Sequence, residues 1–307
     1  MYKPLGLCLN DFDLSYNQQT GLYELIHLQG PPISTDRYDA TVLETTYGFA
    51  TSKDLVNWET HPQVFGIHDV DNVFDNSAIW TMKTVHSKEG ERFMFYTGVC
   101  YETYFYQAIG LARFDTEKRI WQCLSDKPVI SADPRRYQTT GAMAWRDPYV
   151  VYDEELGQYT MFIAARDNKF EVPFNGCIAT ASSTNLKDWT INDPLISPGQ
   201  YTEMECPVYL HKGGHHYILV SISDTRQIHV FRSNEIYGEY VEIEPLMEPY
   251  CYAPRVIAYQ GRDVLLHTQW IERRNDAGQM VWSRGYLADP KELHQDENGA
   301  LYVTSMA

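Results

Sequence analysis

Short runs of apolar, aromatic and β-branched residues alternate with polar turns along the whole chain. No long stretch repeats its apolar positions at the helical period of about 3.6 residues. Residues 92–97, 159–164, 216–221 and 264–269 read as strands rich in Phe, Tyr, Ile, Val and Leu. Residues 50–58 (Ala-Thr-Ser-Lys-Asp-Leu-Val-Asn-Trp) and 181–189 (Ala-Ser-Ser-Thr-Asn-Leu-Lys-Asp-Trp) repeat one plan: small and hydroxyl residues, then Asp/Asn-Leu, then Asp/Asn-Trp. Looser copies run from Gly110 to Trp121, from Val230 to Tyr240 and from Val281 to Leu293. Five copies, recurring roughly every 50 to 70 residues, have the scale of four-stranded blades with long loops. The pattern therefore predicts an all-β protein, a single five-bladed β-propeller over residues 1–307, with its site where the innermost strands converge. A pair of β-sandwiches or a β-helix is the competing arrangement. Trp58 and Trp189, equivalent in the repeat, are expected to pack rather than bind.

Charge changes the picture by exclusion. With 41 Asp and Glu against 25 Lys and Arg, the formal net charge is -16, so a polyanionic partner such as nucleic acid is not expected. Aromatic residues make up 14% of the chain, with 23 Tyr, which suits stacking on flat apolar faces such as those of sugars. No apolar run reaches the length of a membrane span and the N-terminus has no signal-like stretch, so a cytoplasmic protein that does not bind membranes is expected. The 6 Cys form neither a disulfide framework nor a CxxC zinc pair, and His215-His216 and the scattered acids show no ligand spacing, so neither a metal nor another cofactor is expected.

Three acidic clusters stand at the starts of three units: Asn10-Asp11-Phe12-Asp13, Arg146-Asp147-Pro148 and Glu205-Cys206-Pro207. An Arg before and a Pro after an Asp give the carboxylate a partner and the backbone a direction. Glu205 lies in apolar company, where poor solvation would raise its pKa and suit it to donate a proton. Cleaving a glycosidic bond needs such a donor and a second carboxylate that attacks the sugar or activates water.

These boxes, in this order, resemble those of glycoside hydrolase family 32, the invertases, inulinases, levanases and related fructofuranosidases. The first cluster is similar to that family's Trp-Met-Asn-Asp-Pro-Asn-Gly box, and the other two to its Arg-Asp-Pro and Glu-Cys boxes. Residues 48–58 resemble its Gly-His-Ala-Ser-Lys-Asp-Leu-x-x-Trp region. Phe74-Asp75-Asn76-Ser77 resembles its Phe-Ser-Gly-Ser, Tyr96-Thr97-Gly98 its Tyr-Thr-Gly, and Tyr252-Ala253-Pro254 its Tyr-Ala-Pro/Ala.

The resemblance implies a five-bladed catalytic propeller acting on a carbohydrate substrate with retention of configuration. Asp11 would be the nucleophile, Glu205 the acid/base and Asp147 the group that stabilises the transition state, with Arg146 orienting a carboxylate. The first two carboxyls would then lie about 5 to 5.5 Å apart. Asn10, Asp13, Phe74, Asp75, Asn76, Ser77, Tyr96, Cys206 and Tyr252 would complete the sugar site. Phe74 and Tyr96 are either stacking or core residues. Asp13, two residues from Asp11 and so able to share its face, is an alternative nucleophile.

The boxes depart from the family's at Phe12, Asp13 and Leu14, and Asp75-Asn76 stands where the family has Ser-Gly, which leaves the sugar and its linkage open. A propeller without the family's C-terminal β-sandwich is expected, and the surface that domain would cover could serve a homo-oligomer. Two other readings are an inverting family 43 arabinanase or xylosidase, with carboxyls about 6.5 to 9.5 Å apart, and a carbohydrate-binding propeller without catalysis.

Overall fold

The computed structural model describes residues 1–30, 44–71, 73–103, 105–271, 273–274, 280–281 and 285–306. Among the described residues it contains strands and turns and no helix long and apolar enough to cross a membrane. Blade I is β1 (Cys8–Asn17), β2 (Leu22–Gly30), β3 (Thr46–Ser52) and β4 (Trp58–Gly66). Blade II is β5 (Ala78–His86), β6 (Arg92–Cys100), β7 (Tyr106–Asp115) and β8 (Ile120–Cys123). Blade III is β9 (Trp145–Asp153), β10 (Gln158–Arg166), β11 (Gly176–Ser183) and β12 (Thr190–Ile191). Blade IV is β13 (Met204–Lys212), β14 (His215–Ile222), β15 (Gln227–Ser233) and β16 (Val241–Ile243). Blade V begins with β17 (Cys251–Tyr259) and β18 (Arg262–Gln269). A small hairpin of β19 (Arg273–Arg274) and β20 (Met280–Val281) follows, and the blade is completed by β21 (Tyr286–Leu287), β22 (Lys291–Gln295) and β23 (Leu301–Ser305). All pairings are antiparallel between sequence neighbours, apart from the third layer of blade V, which β21 and β22 share along β18.

The four strands predicted from apolar runs lie in β6, β10, β14 and β18, the second strands of blades II to V, which adjacent strands cover on both edges. The repeated segment is the turn from third to fourth strand. In blade I the Ser52 hydroxyl accepts from the amides of Asp54 and Leu55, Leu55 takes a positive φ of 65°, and the Trp58 indole N–H donates to the Leu55 carbonyl at 3.1 Å. Blade III repeats each contact with Ser183, Asn185, Leu186 and Trp189. The fifth copy does not hold this place. Residues 282–284 lie outside the described residues, and Gly285 to Leu293 run into β21 and β22, so the corresponding turn of blade V falls later, where Asp296 caps the amides of Asn298 and Ala300.

Hydrophobic clusters fill the spaces between adjacent blades rather than one central core. Around the axis, β1 touches β5, β5 touches β9, β9 touches β13, β13 touches β17 and β17 touches β1, which closes the ring. The N-terminal segment reinforces closure, because Tyr2 and Leu9 pair through their backbones with Leu287 and Gly285 of blade V. Asp13, only 1% exposed, ties three blades together. From blade I it accepts from Lys83 Nζ at 2.9 Å and from the Thr84 amide and hydroxyl of blade II, and Arg255 Nε of blade V stands 3.9 Å away. Truncating one member of such a buried pair strands its partners without water. Asp13→Ala is therefore expected to lose about 3 to 5 kcal/mol of stability, read as a lowered midpoint in urea unfolding at pH 7.

Candidate active site

Each innermost strand carries one residue more than its neighbour can pair. The register slips at Asn10-Asp11 in β1, at Thr81 in β5, at Asp147-Pro148 in β9, at Cys206-Pro207 in β13 and at Ala253-Pro254 in β17. A bulge of this kind bends the strand and re-aims its side chains. In the last three blades the first bulge residue has a positive φ: 59° at Asp147, 50° at Cys206 and 47° at Ala253. Proline supplies the second bulge residue there, where no N–H is required for the ladder. The register makes Arg146, Glu205 and Tyr252 equivalent to one another, and Asp147 equivalent to Cys206 and Ala253.

The bulges surround a cavity of about 700 Å³ whose lining includes Asn10, Asp11, Arg146, Asp147, Glu205 and Tyr252. Asp11 Oδ2 accepts from Thr81 Oγ1 at 2.5 Å. The Asp147 amide donates to Thr97 Oγ1 at 3.0 Å, and its Oδ2 accepts from the Cys206 amide at 2.9 Å. The Asp11 and Asp147 carboxylates and the Cys206 sulfur each have an atom within 4.8 Å of the others. Arg146 Nη2 is shared between Glu205 Oε1 at 2.7 Å and Glu203 Oε2 at 2.9 Å. Glu203 also takes Arg166 Nη2 at 2.9 Å. On its other side Glu205 Oε2 accepts from the Tyr252 hydroxyl, and the Tyr252 ring stacks on Trp270 at 4.1 Å between centroids.

Burial is the largest influence on these acids, and it opposes ionisation. It lifts Asp11 to about 6, against the Thr81 hydrogen bond that favours the charged form; Glu44 and Glu205 push the same way as burial. It lifts Glu205 to about 7 against the pull of Arg146, with Glu203 and Asp147 adding to the rise. Asp147 is raised too, by burial and then, against Arg146, by Asp11. Glu203 goes the other way, to about 2, because two guanidinium groups outweigh its burial. The site thus sets Glu203, whose charge two guanidinium groups favour, against Asp11, Asp147 and Glu205, whose charge burial disfavours.

The remaining expected sugar contacts do not line the cavity among the described residues. Both Asp11 and Asp13 turn toward blade II, but Asp13 is consumed by Lys83 and Thr84. Phe74 and Tyr96 are core residues between blades I and II, so neither ring faces the cavity. Asp75 is fully buried, bonded to Tyr96 and His68. Asn76 and Ser77 bond to each other, and Ser77 Oγ accepts from the amide of Tyr101, placing the pair behind the lining residue. Cys206 is 1% exposed and serves through its amide on Asp147. What sequence reasoning missed was Glu203 and Arg166, the aromatic wall of Trp80, Tyr101, Phe105 and Trp270, and Thr81, whose blade carries no acidic box. Glu203, an acid two residues before Glu205 and just ahead of β13, was the one legible signal.

A funnel with carboxylates of opposed titration, at the axis of a five-bladed propeller, is a site fitted for carbohydrate chemistry. Residues 34–245 match the glycosyl hydrolases family 32 N-terminal domain, and the chain belongs to that family. A levanase of Bacillus sp. (strain L7) is 27% identical over 171 residues, which are 52% of this chain and 18% of that protein. A fructan 6-exohydrolase of Beta vulgaris is 22% identical over 191 residues, 61% of this chain and 29% of that protein. The matched part thus spans less than a third of these relatives. The inulosucrase from Halalkalicoccus jeotgali bound to kestose has the same fold, with a TM-score of 0.78 at 16% identity over 99% of this chain and 89% of that one.

Since Arg146 divides itself between two carboxylates, Glu203→Gln leaves it to Glu205 and removes a neighbouring negative charge. The Glu205 pKa is expected to fall below its parent value of about 7, read by 13C NMR titration of labelled glutamate carboxyls.

Proposed function

We propose that this chain hydrolyses fructofuranosides or a closely related furanoside with retention of configuration. Asp11 attacks the anomeric carbon, and Glu205 protonates the leaving oxygen and then takes a proton from the incoming water. Asp147 holds sugar hydroxyls and stabilises the oxocarbenium-like transition state. The observation that carries this reading is geometric: Asp11 and Glu205 face one cavity from β1 and β13, Asp11 bonded to a hydroxyl and Glu205 held between Arg146 and Tyr252. Desolvation raises both carboxyls above their ordinary values, which suits Glu205 to carry the proton the reaction needs.

Arg146 and Tyr252 donate to the two oxygens of Glu205 from either side, which fixes the plane of its carboxyl group. Asn10 Oδ1 is buried without a hydrogen-bond partner among the described residues and is suited to accept from a sugar hydroxyl. Trp80 and Phe105, 5.6 Å apart between centroids, and Trp270 over Tyr252 supply apolar surfaces for sugar faces. The family and the levan- and fructan-cleaving relatives favour a fructosyl unit.

The test is product release from sucrose, from inulin- and levan-type oligosaccharides and from aryl furanosides, with the first-formed anomer followed by NMR. Fructose released as the retained anomer supports the reading. The inverted anomer would sink the mechanism, and sugar binding without cleavage of any furanoside would make the propeller a binding module.

On unactivated fructosides, Glu205→Gln is expected to lower kcat by about 10²- to 10⁴-fold, and by much less on aryl furanosides, whose leaving groups need no proton. Asp11→Asn should fail on both classes. The parent kcat/KM should rise with pH as Asp11 loses its proton near 6 and fall as Glu205 loses its own near 7, a narrow bell in a pH–rate profile.

A further inference from the structure

Outside the cavity, blade II holds a second cluster of groups with chemistry in them. Asp75 is 0% exposed, yet no lysine or arginine reaches it among the described residues. Its one cationic candidate is His68, whose Nδ1 stands 3.1 Å from the carboxylate. The Tyr96 hydroxyl donates to Asp75 Oδ2 at 2.7 Å and lies 3.1 Å from Cys123 Sγ. His68 Nδ1, an Asp75 oxygen and Cys123 Sγ all lie within 4.8 Å of one another. The backbone is shaped to bring Asp75 here, because Phe74 and Asp75 press so closely on Gly98 that a Cβ there would overlap both.

From this juxtaposition we propose that His68, Asp75 and Cys123 form a zinc site that clasps the outer edge of blade II to the segment entering it. One nitrogen, one oxygen and one sulfur is a donor set that suits zinc and leaves a fourth tetrahedral position for water. The charges also fit. Zn²⁺ with one carboxylate and one thiolate is neutral overall, which answers the question of what compensates a fully buried carboxylate. Tyr96, donating to the carboxylate from behind, orients that ligand. His68 and Cys123 are each partly exposed, so the ion has a way in. On binding, the Cys123 thiol loses its proton to solvent and gives up its hydrogen bond to the Ser125 carbonyl, and His68 Nδ1 exchanges its hydrogen bond to Asp75 for the ion, its ring proton residing on Nε2.

The experiment uses the whole chain, stripped of metal with a chelator and titrated with ZnCl₂ by calorimetry at pH 7. Expected are one ion per chain, Kd at about 1 μM or below and about one proton released. Substituting Co²⁺ should bring the near-ultraviolet band of thiolate-to-metal charge transfer. Cys123 is the one partly exposed cysteine, the other five being buried, so alkylation mapping should find it modified by iodoacetamide in the stripped protein and protected by Zn²⁺. Cys123→Ser and His68→Gln should each weaken Zn²⁺ at least tenfold.

No uptake of Zn²⁺, or uptake without a thiolate band and without protection of Cys123, would overturn the proposal and leave a hydrogen-bonded His–Asp–Tyr–Cys network. So would binding that survives Cys123→Ser but is lost in Cys206→Ser, which would put the ion beside Asp11 and Asp147. The parent measurements need no variant to fold, and furanoside cleavage plays no part in the readout.

Discussion

The five innermost strands that lean on one another around the axis share one irregularity, a bulge that bends each strand and re-aims its side chains. Each carries one unpaired residue, and every acid that faces the cavity from β1, β9 or β13 sits in or beside such a bulge. The geometry explains the strange company of residues in the motifs. Proline appears where the ladder wants no donor, and Asp147, Cys206 and Ala253 adopt left-handed backbone that side chains ordinarily avoid. The tripeptide boxes in blades III, IV and V are therefore one structural device used three times, with the side chain changed from Arg146 to Glu205 to Tyr252. Those three, brought side by side by the closure of the ring, now bond to each other.

The second constraint is electrostatic. Crowding Asp11, Asp147, Glu203 and Glu205 at one end of the axis would be prohibitive if all four were charged and unpaired. The chain resolves this unevenly. Arg146 and Arg166 hold Glu203 ionised, and Arg146 gives Glu205 only part of its charge. Asp11 has a hydroxyl instead of a cation. The carboxyls left short of positive charge, Asp11, Asp147 and Glu205, are the ones that burial pushes toward the protonated form. Asp13 shows the contrast, since two residues along the same strand it meets Lys83 and Arg255 and becomes part of the frame.

Repetition and strand composition were enough to establish an all-β chain of five similar units, because a pleated strand and its turns write their period into a few neighbouring residues. The three acidic boxes, Arg146 and Tyr252 were likewise legible, each announced by a proline or a charged residue within two positions. Which other residues reach the cavity was not legible. Phe74, Asp75 and Tyr96 look like sugar contacts in a linear motif, yet blade packing turns them inward. Thr81, Arg166 and Trp270 carry no local mark and come to the site only through ring closure. Local chemistry is encoded over short stretches, whereas position around an axis depends on blade-to-blade packing across the whole chain. The sequence alone thus determined the repeated blades and the acids available to them, and the tertiary structure decided which acids share a guanidinium, which lose water and which merely hold the ring shut.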